Sequence, residues 1–181
     1  SSIKLSVAGL LLLGAALILV SGDAEAIDPE WSYETGDNVR SVAVSADGEY
    51  IVAGSDDNKV SLFDKNSSTP LWSYAADGSI VTVAISADGE YIVIGTDDDG
   101  TPDSGKVILF DKDSSTPLWS YDTGANVNDV AISVDGKYIV AGAGKTFFFE
   151  RGSSTPLWNH DTGSVYSLDI SADGNHVVVA G

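Results

Sequence analysis

The chain has 181 residues and a net charge of -18, with two Arg and seven Lys among 21 Asp and six Glu. Cations so few and so scattered cannot displace counterions from a nucleic acid, and they leave anionic membrane surfaces disfavoured as well. A hydrophobic fraction of 43% with 9% aromatics rules out disorder by composition, and the absence of Cys removes disulfides, thiolate metal sites, iron–sulfur clusters and Cys nucleophiles together.

The first predicted element is a single apolar run. Residues 5–20, LSVAGLLLLGAALILV, carry no charge, follow Lys4 and precede SGDAEA, where Ala24-Glu25-Ala26 fits a small-x-small cleavage rule. Two roles fit: a secretory signal peptide with the mature chain starting near Ile27, or an uncleaved membrane anchor, since the run is a little shorter than the ~20 residues that span a bilayer comfortably. Both predict a helix over 5–20 that makes few contacts with the rest, and both separate residues 1–26 from a domain at 27–181. Either would leave that domain secreted or anchored at the cell surface, with membrane contact only through the N-terminal segment.

Beyond Ala26 the chain repeats itself. Trp31, Trp72, Trp119 and Trp158 are 41, 47 and 39 residues apart, and the doublets Asp47-Gly48, Asp88-Gly89, Asp135-Gly136 and Asp173-Gly174 are 41, 47 and 38 apart. A period near 40 suits either a four-stranded propeller blade or a two-helix repeat, and residue type decides between them. VRSVAVS (39–45), EYIVAGS (49–55) and KVSLFDK (59–65) are alternating or β-branched runs separated by turn residues, and LWSY (71–74) supplies a fourth strand. The predicted fold is therefore all-β, with units starting near 29, 70, 117 and 156. Asp-Gly is expected at two-residue hairpin turns in which both central residues need positive φ.

These residues carry two resemblances. SVAVSADGEYIVAGSDDNKVSLFD (41–64) resembles the WD40 repeat, with Phe63-Asp64, Phe110-Asp111 and Phe149-Glu150 where that repeat ends in Trp-Asp, and without its Gly-His. The other half of each unit is similar to the quinoprotein (PQQ-type) propeller repeat, in which an Asp precedes a seam-filling Trp by eight residues. Asp64 to Trp72, Asp111 to Trp119 and Glu150 to Trp158 keep that spacing, whereas Ser67-Ser68, Ser114-Ser115 and Ser153-Ser154 replace the repeat's Thr-Gly. Both resemblances imply a β-propeller over about residues 28–181. The strand count gives about three and a half blades, and a closed propeller needs 4 to 8, so part of a longer protein is expected, in line with a chain that opens Ser1-Ser2-Ile3-Lys4 and contains no Met.

Few residues offer chemistry. His160 and His176 stand at positions that hold Tyr in the other units, and a catalytic or metal-binding His would need partners that no unit supplies. Gly142-Ala143-Gly144-Lys145-Thr146 lacks the leading Gly of a phosphate-binding loop and joins two predicted strands, so it reads as a hairpin. The Trp-Ser-Tyr triplets place two aromatics on one face of a strand, which predicts packing between blades rather than a carbohydrate platform. The single conspicuous break in the repeat is the insertion TDDDGTPDSGK (96–106), an expected hairpin tip. There Asp97, Asp99 and Asp103, with Asp98 alongside, offer hard oxygen ligands for Ca²⁺, although the order of an EF-hand is missing and a solvated loop is the favoured reading.

No catalytic residue and no cofactor-binding residue is predicted, and calcium is the sole candidate cofactor. The leading expectation is an exported, non-catalytic propeller that binds a protein or glycan at its rim. The quinoprotein resemblance implies a second reading, part of an exported enzyme whose catalytic residues lie elsewhere. Open blade edges suggest a third, self-association as a surface filament subunit.

Overall fold

The computed structural model describes residues 29–97 and 105–181, together with the backbone of residues 16–19. Its first two strands, β1 (Ala16–Leu19) and β2 (Trp31–Glu34), form an antiparallel pair. Three four-stranded antiparallel sheets follow. The first holds β3 (Val39–Val44), β4 (Tyr50–Ser55), β5 (Lys59–Asp64) and β6 (Trp72–Ala75); the second holds β7 (Ile80–Ile85), β8 (Tyr91–Thr96), β9 (Lys106–Asp111) and β10 (Trp119–Asp122). The third holds β11 (Asp129–Ile132), β12 (Tyr138–Gly142), β13 (Thr146–Glu150) and β14 (Trp158–His160), and β15 (Ser167–Ile170) with β16 (Val177–Ala180) makes a final two-stranded sheet. Strands are hydrogen-bonded in chain order within every sheet, the meander of a propeller blade.

Sheet and sequence repeat are out of phase by one strand. Each Trp strand closes the sheet made by the three strands before it, so among the described residues β1–β2 match the two outer strands of a blade and β15–β16 the two inner ones. The register shows this directly. Leu19 pairs with Trp31 and Ala16 with Glu34, just as Leu62 pairs with Trp72 and Lys59 with Ala75.

The helix expected over 5–20 is accordingly corrected where the structure describes it: residues 16–19 are a strand. A short apolar run cannot be told from a buried strand by periodicity, and here the free edge of β2 supplies hydrogen-bond partners that a helix would leave unmet. The remainder of the run and the cleavage site at Ala26 lie outside the described residues. No helix among the described residues is long and apolar enough to cross a membrane.

Seams between blades make the core. Phe63, Phe110 and Phe149 are fully buried, each beneath the Trp and Tyr of the preceding outer strand. Trp31, Trp72 and Trp119 lie 5.5, 5.4 and 5.3 Å from those rings, and Tyr33, Tyr74 and Tyr121 meet them edge-on at 5.0 to 5.2 Å. Such tilted and T-shaped pairs suit the ring quadrupoles and add to the burial of large apolar area. The aromatic triplets are thus packing residues. A ladder of backbone bonds runs from each blade to the next, from Ala46 N to Ala87 O, Ala87 N to Val134 O and Val134 N to Ala172 O.

The Asp-Gly turns differ from the expectation in one respect. Only the glycine takes positive φ, as at Gly48 (74°) and Gly136 (65°), while Asp keeps negative φ. The Asp47 carboxylate accepts from Ser45 Oγ at 2.6 Å and from Glu49 N at 3.0 Å, and Gly48 N donates to Ser45 O. A side chain that caps its own turn makes a second left-handed residue unnecessary.

Candidate functional site

Three surface features stand out, at one end of the blades, at their outer edge and at the last sheet. The first surrounds Arg40. In β3 and β7 the pairing register shifts between Val39 and Ser41 and between Ile80 and Thr82, bulges that re-aim Arg40 and Val81. Arg40 Nε then donates to both Asp56 oxygens at 2.8 and 2.9 Å. Asp37, Asn38, Arg40, Asp56, Ser79, Val81 and Asp97 line a polar cleft of about 410 Å³. The guanidinium pKa is raised above its usual value, first by the hydrogen bond and charge of Asp56 and then by Asp37 and Asp97.

Asp97 is the one residue of the predicted calcium set that the structure describes, with its N–H donating to Ser79 O at 3.0 Å. Asp99 and Asp103, like Asp98, lie outside the described residues. The insertion joins adjacent strands β8 and β9, the hairpin tip expected from sequence. Among the described residues no group of three or more His, Asp or Glu is arranged to hold a metal ion. Arg40 instead brings a positive charge among these carboxylates.

The outer edge carries a feature that sequence reasoning missed. Leu71, Leu118 and Leu157 each precede a seam Trp and are each about half exposed. Their N–H groups donate to Leu62 O, Leu109 O and Phe148 O at 2.7, 2.8 and 2.7 Å, so the three leucines hold the same place on three successive blades. The threefold Ser-Ser-Thr-Pro-Leu-Trp was the available signal, at 67–72, 114–119 and 153–158. A leucine beside a core Trp reads as core until the strand alternation turns it outward.

At the last sheet, Tyr138, Phe148, Leu157, Trp158, His160 and Val179 border an open cleft of about 530 Å³. Trp158 stacks on Phe148, with centroids 5.1 Å apart and planes 5° apart. His160 borders this cleft, whereas His176 N–H donates to Ser171 Oγ at the turn before β16. Residues 142–146 form the expected hairpin between β12 and β13, where Ala143 N donates to Lys145 O and Lys145 pairs with Asp161 at 3.3 Å.

Four-stranded meanders packed through Trp–Phe seams define a β-propeller repeat protein. The family model described as "Outer membrane protein assembly factor BamB", a PQQ-type repeat, matches residues 14–181, and the chain belongs to that family. The match begins inside the apolar run, in agreement with strand β1. No curated protein matches the chain. Among solved structures, a chain of the "Crystal Structure of Mitotic Checkpoint Complex" superposes with a TM-score of 0.70 at 19% identity, covering 84% of this chain and 49% of that one. At that identity the likeness shows the fold alone, and the chain spans about half the length of that structural relative.

Proposed function

We propose that this chain is an exported, non-catalytic propeller module that holds a protein partner against its outer rim. The observation that carries this reading is the leucine row at 71, 118 and 157: the same apolar side chain is left exposed at the same place in three blades, where packing does not require it. Exposed apolar groups on a regular array suit a partner that also extends over several repeats. Export is supported by the outer-membrane description of the family to which the chain belongs. Catalysis has little support, because an active site draws different residues to one point, while the described blades repeat the same ones. The chain would need no quinone and no metal for this role.

Cell fractionation joined to a dye-linked dehydrogenase assay with added quinone and Ca²⁺ tests both halves of the reading. Recovery with the cell envelope and no turnover of alcohols or sugars is expected. Cytoplasmic recovery, or quinone-dependent turnover, would contradict it.

A further inference from the structure

Three connections between the third and fourth strands of a blade begin with the same turn. Asp64, Asp111 and Glu150 end β5, β9 and β13, and Ser67 N, Ser114 N and Ser153 N donate back to their carbonyls at 3.1, 3.3 and 3.0 Å. Each connection then runs Ser-Ser-Thr-Pro-Leu-Trp into the outer strand. What differs is the second corner of the turn, which is Asn66, Asp113 or Gly152, exposed in all three cases. At Gly152 an added Cβ would meet nothing within 4 Å, and the glycine takes no left-handed backbone. The corner therefore accepts a side chain and faces open space.

The turn does not call for Asn. Asn66 N donates to Asp64 Oδ1 at 2.8 Å, and Asp113 N makes the same bond to Asp111 at 2.9 Å, so Asp completes the corner as well as Asn does. Asn66 alone adds a primary amide, whose Nδ2 donates to Asp64 Oδ1 at 3.0 Å. Ser68 follows two residues on and is exposed, whereas Ser67 is half-buried with its Oγ accepting from Thr69 N at 3.0 Å. Asn66-Ser67-Ser68 is thus an Asn-x-Ser triplet on a surface turn, the acceptor pattern for N-linked glycans. No other of the seven Asn has Ser or Thr at that distance. Asp113-Ser114-Ser115 and Gly152-Ser153-Ser154 keep the hydroxyls and lack the amide.

We propose that Asn66 is a modification site that carries an N-linked glycan at the turn between β5 and β6. The donor class is a glycan held through its anomeric carbon on a membrane lipid phosphate. Asn66 Nδ2 forms a bond to that carbon, the carbon–oxygen bond to the lipid phosphate breaks, the phosphate leaves with the electron pair, and one amide proton passes to a base of the transferase. Asp64 must release the amide first, and at an exposed turn water takes over that bond. Asn66 stands at the opposite end of β5 from Asp56, so the glycan leaves the Arg40 cleft open. Such a glycan rests on the export half of the reading above and does not depend on the leucine row.

Peptide mass spectrometry of the chain recovered from its own cells, alongside three variants, tests the site. In the wild type the fragment containing Asn66 is expected to carry an added mass that breaks down as sugar residues. Ser68→Ala leaves Asn66 and its bond to Asp64 in place and should lose that mass, while Ser68→Thr should keep it. Asp113→Asn completes the triplet at the same open corner of the next blade and should gain a second glycan there. Far-UV spectra should match in all four proteins. An unmodified Asn66 in wild type recovered with the envelope, or a glycan that survives Ser68→Ala, would overturn the site and leave export standing. An unmodified chain recovered from the cytoplasm would overturn both together. Failure of the leucine rim alone would leave every one of these masses unchanged.

Discussion

The indole N–H of Trp72 donates to the carbonyl of Lys112 at 2.7 Å, and its ring lies 5.4 Å from that of Phe110. One residue thereby holds two blades together by a polar and an apolar contact at once. Trp31 with Lys65 and Trp119 with Arg151 repeat the arrangement at 2.6 and 2.7 Å. Trp72→Phe, which keeps an aromatic and loses the hydrogen bond, is expected to cost about 1 kcal/mol. Trp72→Ala empties the seam and should cost about 3–5 kcal/mol. Urea denaturation of the three proteins checks both values, and equal losses for the two variants would contradict the division.

Gly136 combines φ of 65° with a tyrosine ring: a Cβ there would stand 2.5 Å from Cδ2 of Tyr91. Gly163 has φ of 71° and open space around it. Gly163→Ala should therefore cost about 1 kcal/mol for the left-handed backbone alone, and Gly136→Ala about 1–3 kcal/mol more for overpacking. Thermal or denaturant unfolding of the pair separates backbone strain from the seam contact.

The capped turns make stability depend on pH in a definite direction. Asp173 is held down to about 2 by the Ser171 hydroxyl and then by the Asn175 N–H, and Asp47 and Asp135 are lowered by Ser45 and Ser133 in the same way. A carboxylate whose folded-state pKa is depressed binds fewer protons than it does unfolded. Its stabilisation is complete above the unfolded value of about 3.9 and is lost as pH falls toward the folded value. Unfolding free energy should thus be level above pH ~5 and decline between pH ~4 and ~2. Ser171→Ala should raise the Asp173 carboxyl titration seen by NMR, and an unchanged titration would remove the hydroxyl as the main cause.

Arg40 bears on the acidic tip. With its guanidinium bonded to Asp56 and within the field of Asp37 and Asp97, a Ca²⁺ ion near Asp97 would meet a cation already in place. Calorimetric titration should show no saturable Ca²⁺ heat tighter than the ~10⁻⁴–10⁻³ M of weak extracellular sites. The heats should not differ for the variant carrying Asp97→Asn, Asp99→Asn and Asp103→Asn. A tight isotherm abolished in that variant would establish the calcium site.

Repetition is what made the blades legible. Four copies of the Asp-Gly turn and four of the Trp position fix the hairpins and seams, because a pattern repeated in register can satisfy its hydrogen bonds and bury its aromatics in only a few ways. Residues 16–19 escaped this logic. They carry no Asp-Gly and no Trp, so an uncharged run reads as a helix although it pairs in the common register. The phase of the sheets was hidden for a related reason: each seam Trp opens a sequence unit but closes the sheet before it. Arg40 was illegible because a bulge, rather than strand alternation, sets its direction. The leucines at 71, 118 and 157 were visible as letters, and their outward side appears only once the strands are placed.

Site-specific photo-crosslinking in cells, from a reactive side chain installed at Leu118, tests most directly that this propeller works by holding a partner at its rim. A discrete adduct with one envelope protein is expected, lost when Leu71→Ser and Leu157→Ser are added without a change in melting temperature. A folded, envelope-located protein that gives no adduct at position 118, or an adduct indifferent to the flanking leucines, would contradict the account.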